Sequence, residues 1–481
     1  MSIKKNYLYS VIYQIFNILI PLITAPYISR VLGAEGIGTV SYAHSIALYF
    51  GMFGMLGLNN YGNRTIAANR NDKNNVSKIF WNIYTLQVIT TLTMLIAYII
   101  FVSVFFKENK VIAYLQILYL ISTVLDINWF FFGMEQFKIT VSRSILIKII
   151  SFFLILIFVN RESDGWIYTL ITTVSMLASQ LLIWPFLIGK IHFVKPRAKD
   201  IISHMMPNII LFIPVITISL YKVMDKVMLG TLSDMVQVGL YENSLKIINV
   251  PMGVIMALGN VMLPRMSSMY AKGEVAESKI IIRKSMQFSM FLAFAMSFGL
   301  AGIADNFAPI FFGKGFQKTG SLIQLLSITV VFISWANVIR TQYLIPNNKE
   351  RVYIKSVIIG AVTNIIINLL LIPRYGATGA AIGTIFAEAL VTISQSTMIS
   401  NEFKFSIYIN DSFPFLISGL LMFLVVKFIG VFYGNSIYVL VIQILIGAII
   451  YFASCSIILS KAKKINLKEL IINIKINHKK Q

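Results

Sequence analysis

Lysine, aspartate and lysine stand at positions 222, 225 and 226 inside a stretch, 208–230, that is otherwise almost wholly apolar. On a helix the spacing i, i+3, i+4 puts Lys222, Asp225 and Lys226 on one face. The next apolar stretch, 237–262, adds Glu242 and Lys246; 38–60 adds His44, and Arg30 closes 7–31. An ionisable side chain in hydrocarbon costs about 2.5–3.5 kcal/mol on insertion scales, so it faces a partner or a water-filled cavity. Arg30, His44, Lys222, Lys226 and Lys246 outnumber the acids Asp225 and Glu242, so pairing alone cannot neutralise the set. The pattern predicts a hydrated, mainly cationic cavity. Such a cavity suits a diphosphate or an acidic sugar, because phosphate oxygens accept several charge-assisted contacts. The competing reading is a set of internal salt bridges, Asp225 with Lys222 and Glu242 with Lys246, that pin helices together.

Other intramembrane charges carry less weight. Arg340 and Lys355 would stand at an inner mouth, yet both, like Lys148, lie within about two turns of the surface and can snorkel. Lys427 near the end of 412–432 is expected to snorkel too, and Asp126 to cap a helix-breaking bend. Glu388 sits mid-stretch in 377–399 with no basic residue a turn away, so it is either protonated and packed or a coupling-ion site. Enzymatic patterns are absent. Gly33-Ala-Glu-Gly36-Ile-Gly38 has the wrong order for a dinucleotide loop, and no ATP-binding loop occurs. The four histidines lie too far apart for a metal site, and Cys455 is alone. Energy must then come from a gradient or from the substrate's own concentration difference. Gly379-Ala-Ala-Ile-Gly383 reads as close helix packing.

The elements that must position these residues are membrane helices. Of 481 residues 57% are hydrophobic and 12% charged, with a mean hydropathy of +0.79. Crossing a hydrocarbon core takes roughly 20 apolar residues as a helix, and the continuous, non-alternating runs exclude a barrel. The expected fold is an all-α integral membrane protein of about fourteen spans, two pseudo-symmetric six-helix lobes and a C-terminal hairpin. The predicted divisions are 1–188 for the N-terminal lobe, 189–207 for a cytoplasmic linker, 208–399 for the C-terminal lobe, 400–460 for the hairpin and 461–481 for the tail. Leu467, Leu470, Ile471 and Ile474 face away from Lys464, Lys468 and Lys475, which suits a helix lying on the anionic inner leaflet. The apolar start carries Pro21 and Pro26 and is too long for a signal peptide, so it reads as an uncleaved first helix.

With the N-terminus inside, 27 of the 41 basic residues, Arg143 among them, fall in inner segments and seven in outer ones, which predicts both termini in the cytoplasm. The same distribution argues that the net charge of +22 marks topology and membrane lipids, not nucleic acid. A weak internal repeat joins the halves: Arg30-Val-Leu-Gly33 leading to Gly38, and Lys226-Val-Met-Leu-Gly230 leading to Gly239. A basic residue followed by small ones at the same point of each half fits a duplicated transporter.

Three blocks carry a family resemblance. Pro21-Leu-Ile-Thr-Ala-Pro26-Tyr-Ile-Ser-Arg30-Val-Leu-Gly33, running on to Gly36 and Gly38, resembles the opening of Wzx-type polysaccharide repeat-unit flippases, of the multidrug/oligosaccharidyl-lipid/polysaccharide exporter superfamily. Asp126-Ile-Asn-Trp129-Phe-Phe-Phe-Gly133-Met-Glu135-Gln-Phe137-Lys138 resembles their fourth-helix exit. Asn364 and Asn368, then Ile372-Pro373-Arg-Tyr-Gly376-Ala-Thr-Gly379-Ala-Ala-Ile-Gly383-Thr and Glu388, resemble helices eleven and twelve. The resemblance implies a flippase that moves undecaprenyl-diphosphate-linked oligosaccharide to the outer leaflet by alternating access, for capsule or surface polysaccharide, with a polysaccharide polymerase as a partner. It implies no cofactor beyond proton or sodium coupling, for which Asp225, Glu242 and Glu388 are candidates. Arg30, His44, Lys222, Lys226 and Lys246, with Arg340 and Lys355, would bind the substrate.

A lipid II flippase shares the fourteen spans and the cationic cavity. A multidrug or metabolite antiporter of the superfamily would have twelve spans and an acidic cavity. A membrane polymerase or glycosyltransferase needs a large outer loop or an acidic catalytic motif, and the longest outer segment, about 305–319, supplies neither.

Overall fold

A computed structural model describes residues 3–461, all helix and connection with no strand among them. The expected tail helix, from 462 onward, lies outside the described residues. The first helix, α1 (Ile3–Met55), is two helices joined at Gly33, whose φ of 66° is open to glycine and costly for other residues. It covers the first two expected spans. Twelve further stretches, from Lys73–Phe105 to Ile437–Ser460, are long and apolar enough to cross a membrane. With the two arms of α1 that makes fourteen, and the protein is a multi-span helical membrane protein. Ile89, Leu92, Ile96 and Ile100 recur every three or four residues and are all exposed, the signature of a face solvated by lipid.

By Cα proximity the chain forms two compact units, Met1–Glu242 and Asn243–Gln481. The first holds α1, α2 (Leu58–Asn69), α3 (Lys73–Phe105), α4 (Lys110–Leu115), α5 (Ile117–Val124), α6 (Asn128–Gly133), α7 (Phe137–Phe158), α8 (Gly165–Leu181), α9 (Ala198–Ser203), α10 (Met205–Lys222) and α11 (Met224–Leu232), and it contains the start of α12 (Met235–Ala271). Span four is broken between α5 and α6, which strands carbonyl groups that a continuous helix would satisfy. Gln87 of α3 supplies the missing donor, its Nε2 reaching the oxygens of Thr123 at 2.9 Å and Asp126 at 2.8 Å. Its Oε1 in turn accepts from the fully buried Trp129 indole at 3.0 Å. Asp126 caps the bend as expected, accepting from the Asn128 backbone N–H at 2.9 Å. Arg143, assigned from sequence to an inner connection, is inside α7 and buried. It donates to Asn128 Oδ1 at 2.9 Å and to the Ser179 carbonyl, so it braces three helices from within.

The second unit continues α12 and adds α13 (Val275–Phe312), α14 (Gln317–Leu326), α15 (Thr329–Ile339), a π-helical turn Arg340–Leu344, α16 (Glu350–Tyr375), α17 (Ala377–Met398), α18 (Phe405–Tyr433) and α19 (Ile437–Lys461). Helices α16 and α17 meet through Gly379 and Gly383. A Cβ on Gly379 would stand 2.6 Å from the Leu371 backbone, and one on Gly383 would stand 2.2 Å from Asn368 Oδ1, so the small-residue pair does mark close packing. Helix α18 is fastened to α13 by ion pairs. Arg283 holds Asp411 bidentately at 2.6 and 3.0 Å, and Gln287 adds a third bond at 2.9 Å. Lys427 pairs with Asp305 and lies 3.5 Å from Gln324 Oε1, so it is paired to a protein carboxylate where snorkelling was expected. Asp411 is only 4% exposed, and Arg283→Ala would leave its carboxylate without a cation. Because the Arg283 side chain is 48% exposed, the loss should fall below that of a fully buried pair, at about 1–2 kcal/mol, and a lower melting temperature is expected for R283A than for the doubly neutral R283Q/D411N. Equal melting of the two variants would show that the pair contributes nothing here.

Candidate functional site

Of the charged residues picked out in the first hairpin of each half, Arg30 lies near the end of the first arm of α1 and Lys222 ends α10, while Asp225 and Lys226 lie on α11, Glu242 and Lys246 on α12, and His44 on the second arm of α1. The Gly33 bend turns this arm of α1, and the tight approach of Gly38 to Gly239 sets its distance from α12. A Cβ on Gly38 would fall 1.7 Å from the Met235 carbonyl oxygen, and one on Gly239 would fall 1.9 Å from that of Ala34. The two glycines that the internal repeat aligns are thus packed against each other, backbone to backbone. Nearby, a Cβ on Gly230 would meet the Tyr42 ring at 2.2 Å.

Beside this seam Lys226 Nζ lies 3.1 Å from Glu242 Oε2, with side chains 16% and 21% exposed. Ser41 Oγ donates to the same carboxylate oxygen at 3.2 Å. Asp225, 2% exposed, accepts from the Tyr241 hydroxyl at 2.6 Å. His44, one turn beyond Ser41, places Nδ1 3.1 Å from Gln116 Oε1 and its ring against Tyr119. Ser41, His44, Asp225, Lys226 and Glu242 thus belong to one polar region of the first unit. Ser41, Gln116 and Tyr241 escaped the sequence reading because they carry no charge; the signal was their spacing, with Ser41 one turn before His44 and Tyr241 next to Glu242.

The remaining candidates are placed differently. The helix carrying Lys222 ends there and restarts at Met224, so the single face inferred from spacing is interrupted; the Lys222 side chain lies outside the described residues. Glu242, which the sequence offers to Lys246, holds Lys226. Arg30 is exposed, one turn before the Gly33 bend. In the second unit Lys246 Nζ lies 3.1 Å from Asn243 Oδ1. Arg340 starts the π-helical turn, its Nη2 2.8 Å from Asn337 Oδ1 and its Nη1 3.4 Å from the Tyr353 hydroxyl. Lys355 is exposed, two residues along α16 from Tyr353 and therefore on the other side of that helix. Glu388 is buried in α17. Asn364 and Asn368, both fully buried, are bonded to each other at 3.1 Å. No group of three or more metal-ligating side chains occurs among the described residues. Chemically, these residues offer cations and buried carboxylates.

The sequence and the fold are similar to those of known transporters. The chain is 26% identical over 420 residues to a protein of Escherichia coli strain K12 that carries the name O-antigen transporter, covering 84% of this chain and 98% of that one. Its fold is similar to that of the lipid II flippase MurJ in an inward closed conformation, with a TM-score of 0.75 at 13% identity over 95% of this chain and 99% of that one. An outward-facing multidrug resistance MATE family transporter of the MOP superfamily is a more distant match, with a TM-score of 0.51 at 15% identity over 88% and 96%. Because the family described as polysaccharide biosynthesis protein matches residues 3–270, more than half of its length, the chain belongs to that family.

Proposed function

We propose that the protein is a flippase that carries undecaprenyl-diphosphate-linked oligosaccharide repeat units from the inner to the outer leaflet of the cytoplasmic membrane, for capsule or other surface polysaccharide. Both termini face the cytoplasm in this reading, and two lobes, 1–188 and 208–399, alternate access to a cationic cavity. The observation that carries it is the family match of a fourteen-span chain that keeps Lys226, Asp225 and Glu242 inside its membrane helices. Ionisable groups there are expensive and mark a transport pathway. Arg30, Lys222, Lys226 and Lys246, with His44 beside them, would hold the diphosphate or an acidic sugar. Asp225, Glu242 and Glu388 are the candidates for proton or sodium coupling, and a polysaccharide polymerase would take the product.

Cells lacking the gene, stained for lipid-linked oligosaccharide by leaflet, test the proposal. The expected result is repeat units trapped on the cytoplasmic side, cleared by the wild-type gene. Lipid II is the second reading, because a lipid II flippase shares the fold. Trapped lipid II with normal surface polysaccharide would select it and overturn the first.

A further inference from the structure

Among the charges inside the helices, Arg340 is distinguished by its neighbours. Its described partners are all neutral: Asn337 Oδ1 at 2.8 Å, the Tyr353 hydroxyl at 3.4 Å and Met256 Sδ at 3.8 Å. The Tyr353 ring lies under the guanidinium at 5.5 Å. Its Nε is buried without a hydrogen-bond partner, and none of the ion pairs among the described residues includes it. A half-buried cation without a counterion between helices is unfavourable unless an anion visits it. Its backbone is also special. Arg340 opens a π-helical turn closed by Ile345 N–H to Arg340 O at 3.0 Å, and such turns are frequent at functional sites.

We propose that Arg340 and Tyr353 form a subsite for the diphosphate of an isoprenoid lipid, at the inner end of span ten. The subsite rests on the function proposed above and adds a first contact for the headgroup, apart from the hairpin residues around Lys226. The guanidinium fork matches paired phosphate oxygens. Tyr353 accepts from Arg340, and no described residue accepts its own hydroxyl proton, which is therefore available to a phosphate oxygen. Asn337 acts as a positioning residue: it holds Nη2, and it is itself wedged by Gly259, where a Cβ would stand 2.7 Å from Asn337 Nδ2.

The test is equilibrium binding by the purified full-length protein in lipid vesicles doped with undecaprenyl diphosphate or with undecaprenol, and separately of inorganic pyrophosphate. The expected result is diphosphate-lipid binding weakened about tenfold by Arg340→Gln and a few-fold by Tyr353→Phe and Arg340→Lys. Undecaprenol binding and melting temperature should not change. Pyrophosphate should bind far more weakly than the lipid but compete with it in an Arg340-dependent way. Diphosphate-lipid binding by both R340Q and Y353F within twofold of wild type overturns the subsite, and so does pyrophosphate binding as tight as that of the lipid. Failure of the wild type to move oligosaccharide, with Arg340-dependent lipid binding intact, would remove the proposed function and leave the subsite standing.

Discussion

Alanine at Gly38 or at Gly239 is expected to cut export at least about tenfold, a larger effect than at any other glycine of these helices, because overpacking here meets backbone and not side chain. The added Cβ atoms would lie 1.7 Å from the Met235 carbonyl oxygen and 1.9 Å from that of Ala34. No rotamer change relieves contact with a carbonyl group, so the second arm of α1 and the start of α12 must move apart. Overpacking a tight contact costs about 1–3 kcal/mol, and about 1.4 kcal/mol is a factor of ten in an equilibrium. If transport alternates between states, as proposed, the state that contains this seam is the one depleted. Gly299 of α13 is the control, since its added Cβ would meet only the Met422 methyl at 3.7 Å. Alanine there should be neutral or slightly stabilising, because glycine in a helix interior costs about 1 kcal/mol relative to alanine. Surface polysaccharide per cell, at equal protein level, is the measurement. Export by G38A and G239A equal to that of G299A would show that the close approach is not needed in the working cycle.

The repeat that relates Gly38 to Gly239 was visible in the sequence, but their contact was not. Periodicity and hydropathy report how each helix meets lipid, and this is why the fourteen spans were legible from apolar runs alone. They do not report which two helices touch. Two features of the fold were hidden for related reasons. The break between α5 and α6 depends on a distant glutamine, Gln87, that satisfies the released carbonyls. The fastening of α18 to α13 depends on Asp411, which looks like a boundary residue until Arg283 is found opposite it. Arg143 misled in the same way, because a cation near the end of an apolar run resembles a topology signal even when it is buried against Asn128 and Ser179.

At the candidate site, residue type was legible and partnership was not. The sequence singled out Lys226, Asp225 and Glu242 by cost, since each is too expensive to keep in a membrane without a reason. It proposed partners by proximity along the helix, Lys222 for Asp225 and Lys246 for Glu242. Two described contacts run between helices, Tyr241 to Asp225 and Lys226 to Glu242. A helix can place side chains one turn apart, but a partner from another element can be set at a better angle, and only packing decides between them.

Exchanging the two charges, K226E with E242K, is expected to restore stability without restoring export. Each single change leaves a partly buried charge facing a like one. With side chains about one-fifth exposed, the loss should be below the 3–5 kcal/mol of a fully buried pair, at roughly 2 kcal/mol. The exchange rebuilds the pair at the same 3.1 Å spacing. Ser41, which donates to Glu242, can accept from a lysine at position 242 as readily. A double-mutant cycle on melting should therefore give a favourable coupling energy close to the sum of the two single losses. Export separates the two explanations of why a lysine stands at 226. If the pair only pins α11 to α12, either orientation serves and the exchanged protein exports normally. If the Lys226 ammonium also meets a phosphate or an acidic sugar, the exchange puts a carboxylate where the anion must pass, and like-charge repulsion in a low dielectric blocks it. Recovered melting with surface polysaccharide still absent is the outcome the proposed function requires. Recovery of both would reduce Lys226 to a structural pin and move the anion's path to Arg340, which has no carboxylate partner among the described residues.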